Sequence, residues 1–140
     1  MNNDNPVKDD PIVIVRSAAP DGEQSTVGVL KVGKDLTNKT AGTQHISMRH
    51  GILPPGKKAS AHYHPFETVI YVIRGKHHTY FGPNLEHCVE VQPGDYVYIP
   101  AYTMHQPVND GEEEMEFVAA QPAPDEIALL PPGAEEPYHH

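Results

Sequence analysis

Short apolar runs, separated by prolines and glycines, dominate the hydrophobic pattern of this chain. Runs of this length that are rich in Val, Ile, Tyr and Thr are typical of β-strands. The pattern predicts strands at residues 12–15, 26–32, 45–53, 61–64, 68–73, 76–81, 88–91, 96–99 and 114–119. Because the 15 prolines and 11 glycines interrupt these runs, we expect short strands joined by turns and no long helix.

The predicted strands fill the middle of the chain and leave two polar ends. Residues 1–10 are predicted to be a disordered leader, and residues 11–120 a single β-barrel domain, since 140 residues can bury one core. Residues 121–140 are predicted to form a proline-rich, acidic tail, in which residues 127–130 can add one more strand, either to this barrel or to the edge of a partner. Short strands with regular turn signals indicate an all-β, closed antiparallel sandwich, the jelly roll.

The charge of the chain limits its partners. Nineteen acidic residues stand against ten basic ones, for a formal net charge of −9. This balance argues against nucleic acid and against an anionic membrane surface as partners. No apolar run approaches the roughly 20 residues that a membrane span needs. Cys88 is the one cysteine and the first ten residues are polar and acidic, so we expect a cytoplasmic protein without a disulfide.

The histidines indicate where the chemistry lies. His62 and His64 are one residue apart in a predicted strand, where side chains at i and i+2 point to the same face about 7 Å apart. His105 follows another predicted strand and can bring a third imidazole. Imidazole suits divalent transition metals, and three protein ligands leave positions open for water, substrate or oxygen. The pattern predicts one metal ion held by His62, His64 and His105.

The spacing of these residues resembles the two sequence motifs of the cupin superfamily. The first motif reads Gly, five residues, His-x-His, three or four residues, Glu, six residues, Gly, and it is matched by Gly56, His62, His64 and Gly75. The second reads Gly, five residues, Pro-x-Gly, two residues, His, three residues, Asn, and it is matched by Gly94, Pro100, His105 and Asn109. The resemblance implies a double-stranded β-helix and supports the metal-ligand assignment.

Two positions depart from the motifs. Thr68 stands where the family has its glutamate, and Glu67 is one residue early. A regular strand from His62 would turn Thr68 inward and Glu67 outward, whereas a bulge at Pro65 would re-aim Glu67 inward. We favour Thr68 inward, hence three histidine ligands and a metal that keeps its full double charge. The second departure is Tyr102, which replaces a glycine and could be a lid, a phenolic donor over the metal, or only a cover for the barrel mouth.

Other histidines and the tyrosines leave alternatives open. His77 and His78 begin a predicted strand, so one of them faces inward by alternation and could be a fourth ligand or a general base. A solvated pair at the strand start is the interpretation that we favour. Four tyrosines alternate along the strands and are expected to be core or interface residues: Tyr71, Tyr80, Tyr96 and Tyr98.

The sequence segments HPFETVIYVIRG and GDYVYIP also resemble those of small bacterial single-domain RmlC-like cupins, and this resemblance extends over residues 26–120. The resemblance implies a metal-dependent protein that acts on a small organic molecule and uses Fe, Mn, Zn or Ni. With iron we expect a dioxygenase. The alternatives are a redox-neutral isomerase, cyclase or lyase, and a non-catalytic ligand-binding cupin. A homodimer is expected, formed by exchange of the N-terminal strand and the apolar tail.

Overall fold

The computed structural model describes residues 11–16, 22–24, 29–32, 34–125, 128–129 and 131. The predicted leader at residues 1–10 lies outside this part of the chain. The described residues form nine strands and one helix: β1 (Gly22–Gln24), β2 (Leu30–Val32), α1 (Asn38–Ala41), β3 (Ser47–Leu53), β4 (Thr68–Arg74), β5 (His77–Phe81), β6 (His87–Val91), β7 (Tyr96–Ile99), β8 (His105–Val108) and β9 (Met115–Gln121). Within the described ranges, no helix has the length and apolarity to cross a membrane.

The strands form two antiparallel sheets. The larger has the order β1-β2-β3-β9-β4-β7, and the smaller has the order β6-β5-β8. In the larger sheet β9 lies between β3 and β4, with Gly51 opposite Phe117 and Ile70 opposite Ala119. Residues from both sheets line one shared cavity, so the two sheets face each other across it. This arrangement confirms the all-β, double-stranded β-helix (jelly-roll) fold class.

The hydrophobic core lies on the inner face of the larger sheet. It is a cluster of six buried residues: Val29, Leu53, Ala59, Met115, Phe117 and Ala119. Gly51 lies in the middle of this packing, because a Cβ atom there would come within 2.8 Å of both the Phe117 ring and Val29 Cγ1. A side chain at position 51 would therefore displace the core.

Two residues of the cupin-like motifs maintain the connections between strands. Gly75 joins β4 to β5 at φ +90°, and a Cβ atom there would lie 2.4 Å from the Glu114 carbonyl oxygen, so this turn requires glycine. Asn109 is fully buried after β8, and its amide donates hydrogen bonds of 2.9 Å to the carbonyl oxygens of Leu53 and Glu113. These contacts hold the end of β8 against the larger sheet.

Several predicted elements differ from the structure. The strand predicted at residues 12–15 is wrong: residues 11–16 form no strand, and Ile12 and Ile14 are 74% and 71% exposed. β-branched residues favour a strand only where a neighbouring strand pairs with them. Conversely, β8 was missed because Pro107 interrupts it, and proline is tolerated there because β8 is an edge strand.

The segment around the first two histidines and the tail are also less regular than predicted. Residues 61–64 pair only through isolated bridges, between His62 and His105 and between Tyr63 and Leu129. Leu129, in the second bridge, belongs to the strand predicted at residues 127–130. Residues 126, 127 and 130 lie outside the described ranges.

Candidate metal centre

Backbone hydrogen bonds bring the two motifs together. The N–H of His62 donates to the carbonyl oxygen of His105 at 3.0 Å, and the N–H of His105 donates back to His62 at 2.9 Å. The N–H of Tyr102 donates to the carbonyl oxygen of His64 at 2.7 Å. The first motif therefore runs beside the start of β8, and residues that are about forty positions apart in the sequence become neighbours.

These bridges place three imidazoles in one cluster. The ring centroid of His62 lies 5.1 Å from that of His64 and 4.3 Å from that of His105. The centroids of His64 and His105 are 5.6 Å apart. One ring nitrogen from each side chain lies within 4.8 Å of the other two. All three residues are at most 4% exposed. The structure thus brings together the three histidines that the sequence pattern singled out.

The hydrogen bonds of two rings fix their tautomers. His62 Nδ1 lies 2.7 Å from the Ser60 carbonyl oxygen, and His105 Nδ1 lies 2.9 Å from the Thr103 carbonyl oxygen. A carbonyl oxygen only accepts, so Nδ1 carries the proton in each ring and Nε2 keeps its lone pair. An imidazole that donates from one nitrogen to the backbone and presents the other is the usual form of a metal ligand. The donor set therefore fits a divalent transition metal.

Burial keeps the imidazoles uncharged. Desolvation lowers the pKa of His62 well below 6.5, and the proximity of His105 lowers it further. Burial likewise lowers the pKa of His105 to about 4, even though its hydrogen bond to Thr103 opposes this shift. Both rings are neutral at pH 7, which is the state that binds a metal.

Position 68 faces the cluster and position 67 does not. Thr68 is 2% exposed and lines the cavity, while Glu67 is exposed and accepts a 2.7 Å hydrogen bond from the Tyr98 hydroxyl on the outer surface. The favoured inward orientation of Thr68 is thus confirmed, and the bulge that would turn Glu67 inward is absent. Thr68 Oγ1 is buried and has no hydrogen-bond partner among the described residues.

The histidines lie in a cavity of about 50 Å³ between the two sheets. Most of its wall is apolar. Besides the triad, its polar lining consists of Arg49, Thr68, His77 and Thr79, and none of the aspartates and glutamates that the structure describes lines it. Phe66 stacks on the His64 ring with centroids 5.7 Å apart. The site is therefore small and shielded, and its candidate ligands within the described part of the chain are the three imidazoles.

His77 contradicts the interpretation of a solvated pair. It is 4% exposed and lines the cavity, and its Nδ1 lies 3.3 Å from the Gly75 carbonyl oxygen, which leaves Nε2 as the acceptor. Burial lowers its pKa. His78 points away from the cavity and contacts Asp110 at 3.0 Å. Alternation along β5 separates the two side chains.

Arg49 is the lining residue that sequence reasoning missed. It belongs to no motif, and the signal that could have found it is its position two residues before Gly51 and four before Leu53, on the inner face of β3. Tyr102, in contrast to Arg49, points away from the cavity. Its side chain is 68% exposed and does not line the cavity, so it is no phenolic donor to the site. Its backbone keeps φ +63°, the conformation for which the motif has glycine.

Solved structures with the same fold include metal-dependent enzymes. An uncharacterized protein with a double-stranded β-helix domain from Klebsiella pneumoniae is 20% identical, has a TM-score of 0.60, and is covered over 89% of its length by 83% of this chain. Bacillus subtilis oxalate decarboxylase is 20% identical with a TM-score of 0.65, covering 77% of this chain but 29% of its own. An oxalate oxidase in complex with glycolate is 22% identical with a TM-score of 0.66, covering 84% and 62%.

These similarities concern the fold, because identities this low do not carry an activity from one cupin to another. No curated protein matches the sequence. The protein family described as Cupin domain matches residues 49–120, which include His62, His64 and His105 and more than half of the chain. The chain therefore belongs to the cupin superfamily.

Proposed function

We propose that this protein is a metal-dependent enzyme acting on a small organic molecule, and that its reaction is a dioxygenation at a non-haem metal centre. One divalent metal ion would be held by His62, His64 and His105. The observation that supports the proposal is the convergence of three buried imidazoles, two of which present Nε2 lone pairs, in a cavity that no described carboxylate lines.

The donor set determines the chemistry that is expected. When bound there, a divalent metal supplies Lewis acidity and open coordination positions at which a chelating enol, phenol or thiol can meet oxygen. Because all three ligands are neutral, the site would keep the full double charge and favour an anionic substrate. The ligand set does not select among Fe, Mn, Zn and Ni, so the identity of the metal has to be measured.

The chain's own residues would orient the substrate and exclude water. Ile70, Val72 and Ile99 form apolar wall of the cavity and keep bulk solvent away from the reacting groups. Thr68 Oγ1 can donate a hydrogen bond to a substrate oxygen, and His77 Nε2 can accept a proton from the substrate. These two side chains are the hydrogen-bond donor and the proton acceptor that the cavity offers to such a reaction.

The relatives in fold are consistent with such a centre. Bacillus subtilis oxalate decarboxylase has Mn(II) centres, and the oxalate oxidase binds glycolate. Both proteins act on small molecules, and both share the double-stranded β-helix with this chain. They support a metal centre in this fold and leave the reaction to experiment.

A redox-neutral reaction is the second candidate, and His77 is the observation that favours it. A buried, uncharged imidazole in the cavity is suited to move a proton within a substrate, as an isomerase, cyclase or lyase requires. Such a reaction would make substrate protons exchange with deuterated water, and His77→Gln would abolish that exchange. A dioxygenase would consume oxygen in proportion to substrate.

Elemental analysis of protein purified without a metal-affinity tag tests the proposal first. Near-stoichiometric iron followed by substrate-dependent oxygen uptake with catechols, diketones, flavonols or thiols is the expected result. Zinc, manganese or nickel without oxygen uptake would favour the redox-neutral reaction. A protein that takes up no metal even after reconstitution would contradict both and leave a non-catalytic binding cupin.

Two further properties belong to this proposal. We propose a cytoplasmic protein on the strength of its acidic balance and single cysteine. We also propose a homodimer, and its supporting surface is the outer face of the larger sheet. Five large side chains are exposed there by 39–86%: Val69, Tyr71, Ile73, Tyr96 and Tyr98. A contiguous apolar patch of this kind marks an interaction surface, and a second copy can bind it by two-fold symmetry.

A further inference from the structure

The described wall of the cavity contains a basic residue, although the protein as a whole is acidic. The chain has a formal net charge of −9, with 19 acidic residues. Among the residues that the structure describes, no acidic residue lines the cavity, whereas Arg49 and four histidines do. Since the guanidinium stays charged at any working pH, Arg49 brings a positive charge to the cavity wall.

The register of β3 explains why Arg49 faces the cavity. Ser47, Gly51 and Leu53 are buried along this strand, and alternation puts Arg49 on the same inner face. Its partner across the sheet is Ala119, whose short side chain leaves space for the long arm of the arginine. Arg49 is partly buried, and its Nε atom is out of contact with solvent.

Arg49 lines the same cavity as the triad. Its side chain and the rings of His62, His64 and His105 belong to one wall. Because the cavity has a volume of only about 50 Å³, a small molecule held by the guanidinium would also lie beside the histidines.

We infer that Arg49 binds the carboxylate of the substrate, and that the substrate is a small organic acid with a second oxygen or sulfur donor next to that carboxylate. The guanidinium presents five N–H donors in a planar fork, which can hold a carboxylate even when other donors of the same group bond elsewhere. The second donor would then face the three histidines. This last part rests on the proposed metal centre, whereas the contact with Arg49 does not.

The dimensions of the cavity limit the acid. Its volume of about 50 Å³ corresponds to about four water molecules, at roughly 10–15 Å³ for each. An acid with few non-hydrogen atoms matches that space. Its hydrocarbon part would contact the apolar wall at Ile70, Val72 and Ile99. Long or bulky acids would have to extend through the mouth of the cavity.

A pair of isosteric probes tests the inference. Glycolate and its neutral amide, glycolamide, are titrated into the protein, and binding is followed through the NMR signals of the histidine rings. Both titrations are done on metal-free protein and on protein loaded with Zn(II), which has no redox chemistry. We expect metal-free wild type to bind glycolate about tenfold more tightly than glycolamide, as hydrogen bonds to a charged group typically allow.

Three variants assign that preference to one side chain. Arg49→Gln is expected to bind the two probes equally, and Arg49→Lys to keep part of the preference because it keeps the charge but not the fork. Arg74→Gln is the matched control, since Arg74 is exposed and paired with Glu114 and Glu116, so its loss should leave the preference unchanged. Circular dichroism verifies that each variant is folded.

The outcomes separate this inference from the proposed function. Equal binding of the two probes by metal-free wild type, or an unchanged preference in Arg49→Gln, would overturn the role of Arg49 while Zn(II) binding still supports the metal centre. A preference for glycolate in a protein that binds no Zn(II) would support the anion site and contradict the proposed function. If Arg49→Gln does not fold, wild type and Arg49→Lys still decide whether Arg49 binds the carboxylate.

Discussion

His62 and His105 face each other in an isolated antiparallel β-bridge. The N–H of His62 donates to the carbonyl oxygen of His105 at 3.0 Å, and the N–H of His105 donates to that of His62 at 2.9 Å. Their rings consequently lie 4.3 Å apart, although the residues belong to different motifs. Each ring also hydrogen-bonds the carbonyl oxygen two residues before it, Ser60 for one and Thr103 for the other. The backbone itself thus orients the lone pairs of both imidazoles.

We predict that His62→Ala or His105→Ala removes bound metal while the barrel stays folded. Loss of a partner in the outer shell of a metal site already weakens binding about 10–100-fold, and loss of a direct ligand should cost at least as much. Metal content per chain, measured by elemental analysis after dialysis, should fall below about a tenth of the wild-type value. His87→Ala is the matched control, because His87 is exposed on β6. Full metal content in both triad variants would show that the ligand assignment is wrong.

A second prediction separates positions 67 and 68. Glu67→Gln should leave metal affinity unchanged, because Glu67 contacts Tyr98 on the outer surface. Thr68→Glu should raise it, because a carboxylate at this buried position can reach the triad and add a charged ligand. Competition with a chelator measures both affinities on the same scale. A fall in affinity for Glu67→Gln would mean that this side chain turns inward when the metal binds.

The spacing of motif residues was enough to predict the triad, since Gly56, Gly75 and Asn109 are tied to specific turns and contacts. Strand alternation was enough to predict that Thr68 faces inward. Alternation alone left Arg49 and His77 unassigned, because the face on which a residue lies depends on the strand register, and a shift of one residue reverses it. The strand predicted at residues 12–15 failed for a related reason, since apolar β-branched residues indicate a strand but not its partner.

The buried histidines should make the metal-free protein sensitive to acid. The pKa of His105 is lowered to about 4 by burial, and that of His62 is also well below 6.5, the value to which both return on unfolding. Between pH 6.5 and 4 the unfolded chain therefore binds protons that the folded protein does not, so stability falls as the pH falls. For His105 the shift corresponds to a loss on the order of 3 kcal/mol.

Urea unfolding at pH 7.5 and pH 5 measures this effect. The midpoint should be lower at pH 5, and His105→Gln should show a smaller difference between the two values because one of the titrating groups is gone. An unchanged midpoint in wild type would mean that the imidazoles are solvated in the folded protein and titrate normally.

Tyr102 should tolerate glycine better than most tyrosines do. It keeps φ +63° at the position where the cupin motif has glycine, and this conformation costs a residue with a Cβ atom about 1 kcal/mol. Tyr102→Gly removes that strain and offsets the added freedom of the unfolded chain, so thermal stability should change little or rise. Val89→Gly is the control: Val89 is exposed and extended in β6, and glycine at this position should destabilise the protein by about 1 kcal/mol. Equal destabilisation by both changes would show that the Tyr102 ring, near Tyr63, contributes packing that outweighs the strain.

The outer face of the larger sheet should hold the homodimer together. Tyr96 is 86% exposed and its ring lies 5.2 Å from that of Tyr71, so both form the centre of the apolar patch. In an interface formed by two copies of the same face, a carboxylate at position 96 would meet the partner's patch and a second carboxylate, at a cost of about tenfold or more in the dimer dissociation constant. Sedimentation velocity at micromolar concentration should therefore give a dimer for wild type and a monomer for Tyr96→Glu. Val89→Glu adds the same charge to the exposed face of the smaller sheet and should remain a dimer. A monomeric wild type would reject the homodimer, and a monomer for Val89→Glu alone would move the interface to the smaller sheet.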